Sequence, residues 1–127
     1  MYELDLSAQP IVVVRMSGET QDADLERFLG QVDAAMESTV GAFTLVSVVG
    51  SVSRTSPSQN ATLRSWYAQQ EGALRERCVG VAFVIPRRSW RVIARAALSR
   101  RPPPLRHLLC AGEAEAKAWC ADRLASL

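Results

Sequence analysis

Three short runs rich in β-branched residues, separated by segments of helical periodicity, constrain this chain more than any other feature. They are Ile11-Val12-Val13-Val14-Arg15-Met16, Phe43-Thr44-Leu45-Val46-Ser47-Val48-Val49 and Val79-Gly80-Val81-Ala82-Phe83-Val84-Ile85. Each has the length and composition of a buried strand. Between the first two, Leu25, Phe28, Leu29, Val32 and Met36 recur at three- and four-residue steps. That spacing predicts one amphipathic helix over 22–38. Asp22, Asp24 and Glu26 stand at its start, where the helix dipole favours acids, and Gly41 punctuates its end.

The rest of the chain continues the alternation. Tyr2-Glu3-Leu4-Asp5-Leu6 alternates apolar and polar and, with a turn at Ser7–Pro10, forms a hairpin with the Ile11 run. Ser17-Gly18 breaks that strand, and Gly50 closes the Phe43 strand ahead of a loop, Ser51–Thr55. Ser56, Pro57 and Gln59 have the order of a capping box with Pro at the first helical position. The helix they open runs to about Arg77 and buries Leu63, Trp66 or Tyr67, part of Gln70, and Leu74. A third helix covers Arg87–Ser99, with Trp90, Ile93, Ala94, Ala97 and Leu98 on one side, and Pro102-Pro103-Pro104 ends it. Leu105–Leu109 is a short strand. Glu113–Leu127 is a last helix carrying Ala116, Trp119, Cys120 and Leu124 on one face.

The expected order is β-β-α-β-α-β-α-β-α, which places the chain in the α/β class. Buried strands alternating with helices imply a mostly parallel sheet with crossover helices. The expected fold is therefore one domain, residues 1–127, with a mixed five-stranded sheet, an N-terminal antiparallel hairpin and four helices.

Composition narrows the function classes. Hydrophobic residues at 48% and charged residues at 22% suit a globular core and exclude a disordered chain. The longest apolar runs are far too short to span a bilayer. The start, MYELDLS, has acids where a secretory signal needs a basic and then an apolar stretch, so a cytoplasmic location is expected. Cys78, Cys110 and Cys120 form no CxxC pair, and free, buried thiols in a reducing compartment are expected.

Charge is unevenly distributed. Residues 1–63 hold three Arg and eight acids, whereas residues 64–127 hold twelve basic residues and five acids. This asymmetry points either to complementarity within the chain or to an acidic partner for the second half.

Two candidate surfaces stand out. The first is the hydroxyl-rich segment with Ser51, Ser53, Arg54, Thr55, Ser56 and Ser58. A phosphate there would meet the free N–H groups and dipole of a helix N-terminus, with Arg54 as counter-ion; the plain alternative is a cap and a polar loop. The second is the third helix, where Arg88, Arg91 and Arg95 share a face and Arg87, Arg100 and Arg101 extend it. It suits an acidic protein or phospholipid headgroups; the plain alternative is a solvated face paired with the acidic first half. His107, the only histidine, alternates with apolar neighbours and has no nucleophile motif or metal-ligand spacing beside it. No Gly-rich phosphate loop, GxSxG, HExxH or paired-carboxylate motif is present in the sequence, so no enzyme, cofactor or metal is expected.

The opening hairpin, the strand and loop at Phe43–Thr55 feeding a helix, and the ending Leu108-Leu109-Cys110-Ala111-Gly112-Glu113-Ala114-Glu115-Ala116-Lys117-Ala118-Trp119 together resemble the STAS fold. That fold is shared by anti-sigma-factor antagonists and sulfate-transporter tails. The resemblance is closest to a bacterial subgroup related to the CRAL-TRIO lipid-binding fold, and it covers the whole chain. It implies a non-enzymatic regulatory module of a bacterial signalling pathway that docks a protein partner. The alternative it implies is a lipid- or small-ligand-binding domain that meets anionic surfaces through its Arg-rich third helix. Nucleic acid is not an expected partner, and homodimerisation stays open. The antagonists' Asp-Ser-Ser-Gly-like phosphosite is absent: the corresponding stretch, Val49-Gly50-Ser51-Val52-Ser53-Arg54-Thr55-Ser56, holds hydroxyls but no Asp.

Overall fold

The structure, a computed structural model, describes residues 2–18, 21–52, 56–103 and 105–127. It contains β1 (Tyr2–Asp5), β2 (Ile11–Gly18), α1 (Asp22–Ser38), β3 (Phe43–Val52), α2 (Pro57–Arg77), β4 (Cys78–Val84), α3 (Arg88–Arg100), β5 (His107–Cys110) and α4 (Glu113–Ala125). One five-stranded sheet runs β1-β2-β3-β4-β5 in chain order. β1 is antiparallel to β2, and every later pair is parallel. The expected α/β class, mixed five-stranded sheet and four helices are therefore present.

Three strand limits differ from expectation by two residues or more, each through pairing. β2 does not break at Ser17 but continues through Gly18, and β3 does not close at Gly50 but runs to Val52; Gly18 pairs with Val52 across a register shift after Met16. A parallel ladder overrides the weak strand propensity of Ser and Gly. β5 begins at His107, not Leu105, because Val81–Val84 supplies partners only for 107–110. Leu105 packs instead against the core beneath α2.

The alternation of strand side chains divides the core in two. Val12, Phe43, Leu45 and Val81 face Leu25, Phe28 and Val32 of α1 and Trp66 and Leu74 of α2. Ile11, Val13, Val46, Ala82 and Val84 face the opposite way, onto Ala116 and Cys120 of α4. All three cysteines are free and buried, as expected.

Polar side chains then join the elements. Asp33 on α1 accepts hydrogen bonds from Trp66 Nε1 at 2.7 Å and Gln70 Nε2 at 3.1 Å, holding α1 to α2. Arg77, at the end of α2, donates to the carbonyls of Met36 at 3.0 Å, of Gly41 and of Thr39, and its guanidinium lies 5.4 Å from the Phe43 ring centroid. It satisfies carbonyls that the end of α1 leaves open. Arg15 on β2 meets Glu3 and Asp5 of β1, both at 3.1 Å, and Glu113 at the start of α4 at 2.6 Å.

Candidate functional site

α3 is the one helix among those described with no buried residue. Its half-buried side is Arg91, Ala94 and Leu98, spaced three and four apart. An Ala and an Arg offer little apolar area to the sheet, so hydrophobic burial holds this helix weakly. Arg91 secures its first turn instead: Nη1 donates to the carbonyls of Ile85 at 2.9 Å and Pro86 at 2.8 Å, at the end of β4.

Three large apolar residues of α3 are exposed. Trp90 is 38% exposed, Val92 57% and Ile93 70%. Of Trp90, Ile93, Ala94, Ala97 and Leu98, expected on one side, Ala94 and Leu98 are half-buried beside Arg91, and Trp90, Ile93 and Ala97 are exposed. Helical periodicity finds a stripe, but it does not say which side of the stripe the sheet receives.

Six arginines surround these residues, and the stretch 87–101 contains no acid. Arg87, Arg88, Arg95, Arg100 and Arg101 are exposed and Arg91 is half-buried. Among the described residues none of the six is in an ion pair; the pairs present involve Arg15, Arg27 and Arg75. Among the described residues no acid of the first half pairs with this helix: Glu3 and Asp5 meet Arg15, and Asp33 accepts from Trp66 and Gln70.

Beside α3 the sheet face is open. A groove of about 430 Å³ is lined by Leu45, Tyr67, Leu74, Val81, Phe83 and Leu105, among others, and no α3 residue enters it. The crossover helix from β4 to β5 thus leaves apolar sheet and α2 surface uncovered. A large exposed apolar area is a mark of an interaction surface.

The hydroxyl-rich segment has a different character. Ser53, Arg54 and Thr55 lie outside the described residues, and Ser51 stands in the backbone of β3 rather than in a loop. Ser56 caps α2: its Oγ accepts from Gln59 N–H at 3.0 Å while Gln59 Oε1 accepts from Ser56 N–H at 3.1 Å. Ser58 Oγ donates to Asp22 at 2.7 Å, joining the starts of α2 and α1. Both hydroxyls are engaged within the fold. His107 is exposed at the start of β5, paired in register with Val81. No group of three or more His, Cys, Asp or Glu that could hold a metal occurs among the described residues. No helix among them is long and apolar enough to cross a membrane.

Fold and site together define an α/β sandwich bearing one exposed, basic, amphipathic helix. Comparison with family models, curated proteins and solved structures returned no match.

Sequence reasoning located the arginines and the stripe containing Trp90 and Ile93 but missed Val92. The signal available was the composition itself. The stretch 87–101 holds six Arg and no acid, so little apolar area is left for a sheet to bury.

Proposed function

We propose that this protein is a non-catalytic binding module whose docking element is α3, and that α3 lies on the surface of a membrane containing anionic phospholipid. The observation that carries this reading is the joint exposure of Trp90, Val92 and Ile93 on a helix whose arginines form no ion pair among the described residues. Apolar residues of such a helix enter the boundary between headgroups and acyl chains, and its cations meet the lipid charge. Each Arg near an anionic leaflet contributes about 1 kcal/mol, so the set supplies several kcal/mol at low ionic strength. α3 is too short and too charged to span, so the mode is lying on the surface. The regulatory-partner reading drew on the hydroxyl segment, where the two described hydroxyls already serve the fold. That favours α3 as the functional element.

Flotation of the intact chain with phosphatidylcholine vesicles, and with vesicles also containing phosphatidylglycerol, tests this. The protein floats only with the anionic vesicles, and added salt releases it. Ile93→Asp, at an exposed position, abolishes flotation with the fold intact by circular dichroism. Wild-type protein left in solution by anionic vesicles at low salt overturns the reading.

A further inference from the structure

A second cleft, of about 380 Å³, lies between α3 and the edge strand β5. Arg95, Leu98 and Ser99 form one wall, His107, Leu108 and Leu109 the other, and Pro102 closes one end. Arg95 and His107 thus line one cleft from separate elements, and no acid lines it with them. Arg95 is in no ion pair among the described residues. Ser99 Oγ donates its hydrogen to the Arg95 carbonyl at 2.9 Å. A hydroxyl that donates in this way keeps lone pairs able to accept, which suits a ligand hydroxyl.

We propose that this cleft binds a phosphomonoester on a small polyol-like body, with Arg95 and His107 on the phosphate, Ser99 on a hydroxyl, and Leu98, Pro102 and Leu108 against the carbon skeleton. The proposal rests on the membrane-docking reading for where the ligand is met, and adds which headgroup is chosen. A guanidinium and an imidazole closing on one phosphate favour the more highly charged monoester over a diester, because charge-assisted hydrogen bonds scale with the charge of the acceptor. The phosphate could be a phosphatidic-acid headgroup or a free sugar- or glycerol-phosphate, and the experiment separates the two.

Flotation is measured on phosphatidic-acid and phosphatidylglycerol vesicles matched in surface potential. The wild type prefers phosphatidic acid by about tenfold, the size of one or two charge-assisted bonds. Arg95→Gln and His107→Gln each erase that preference. Arg88→Gln, which removes the same charge elsewhere on α3, weakens binding to both vesicles equally and keeps the preference. In parallel, the His107 imidazole signals are followed by NMR during titration with glycerol 3-phosphate. A saturable shift that Arg95→Gln abolishes assigns a soluble phosphomonoester; a vesicle preference without such a shift assigns the lipid headgroup. Equal binding to the matched vesicles together with no saturable shift overturns the proposal. If no anionic vesicle binds at all, the membrane reading fails and the NMR titration alone decides the cleft.

Discussion

The indole of Trp119 in α4 lies against the backbone of Gly80 in β4, with Cη2 and Cζ3 2.8 Å from the point where a Cβ on Gly80 would stand. A side chain cannot occupy that position unless the ring moves. The glycine therefore serves close approach, and the strand's loss of conformational restraint there is the cost. Gly80→Ala is expected to destabilise by about 1–3 kcal/mol through overpacking, read by urea denaturation. Trp119→Leu in the same chain should recover part of the loss, since the two positions share one space. Additive effects in the double variant would contradict this packing.

The strands, the helices and the face that α1 and α2 bury were legible because Val12, Leu25, Phe28 and Phe43 each belong to a local period with one apolar side. The capping box was legible for the same reason, Ser56 and Gln59 being three residues apart. What could not be read locally came from pairing and from distance. Gly18 and Val52 enter strands because each supplies the other's partner. Arg77 acts on carbonyls roughly forty residues earlier in the chain, and Arg95 meets the cleft of His107 only after the crossover. The orientation of α3 was hidden because a helical stripe carries no information about which layer it meets.

Arg77 should be the most sensitive exposed-edge arginine in the fold. Arg77→Met keeps much of the aliphatic stem over Phe43 but removes the donors to Met36, Thr39 and Gly41. The expected loss is about 1–3 kcal/mol from carbonyls left without their charged partner, again by denaturation. Arg75→Met, whose ion pair with Glu71 is exposed within one helix, should change stability by no more than about 0.5 kcal/mol.

The hairpin end of the sheet should set the acid response. The Ser7 hydroxyl and N–H both donate to Asp5, at 2.6 and 2.9 Å, and with Arg15 they lower its carboxyl from 3.8 to about 2. Glu113 is lowered chiefly by its hydrogen bonds from Arg15. Groups with lowered folded values stabilise the protein above their unfolded values, and that stability is lost as pH falls through the folded ones. Stability should thus drop between about pH 4 and pH 2. By carboxyl NMR titration, Ser7→Ala should raise mainly Asp5, whereas Arg15→Met should raise mainly Glu113. The reverse pattern would contradict the assignment.

The three thiols should be inert while the chain is folded. Burial pushes Cys78 up to about 11 and moves Cys110 and Cys120 in the same direction. Since the thiolate is the nucleophile, iodoacetamide near neutral pH should label none of them natively and all three in denaturant. Rapid native labelling of any one would show that its cover opens.

The position of Trp90 on a bilayer is the most direct test of the docking account. Anionic vesicles carrying brominated acyl chains near the headgroups should quench part of the protein's fluorescence, and Trp90→Phe should remove that quenching while Trp66 and Trp119 continue to emit. Quenching that persists in Trp90→Phe, or none in the wild type at low salt, would contradict the placement of α3 at the membrane surface.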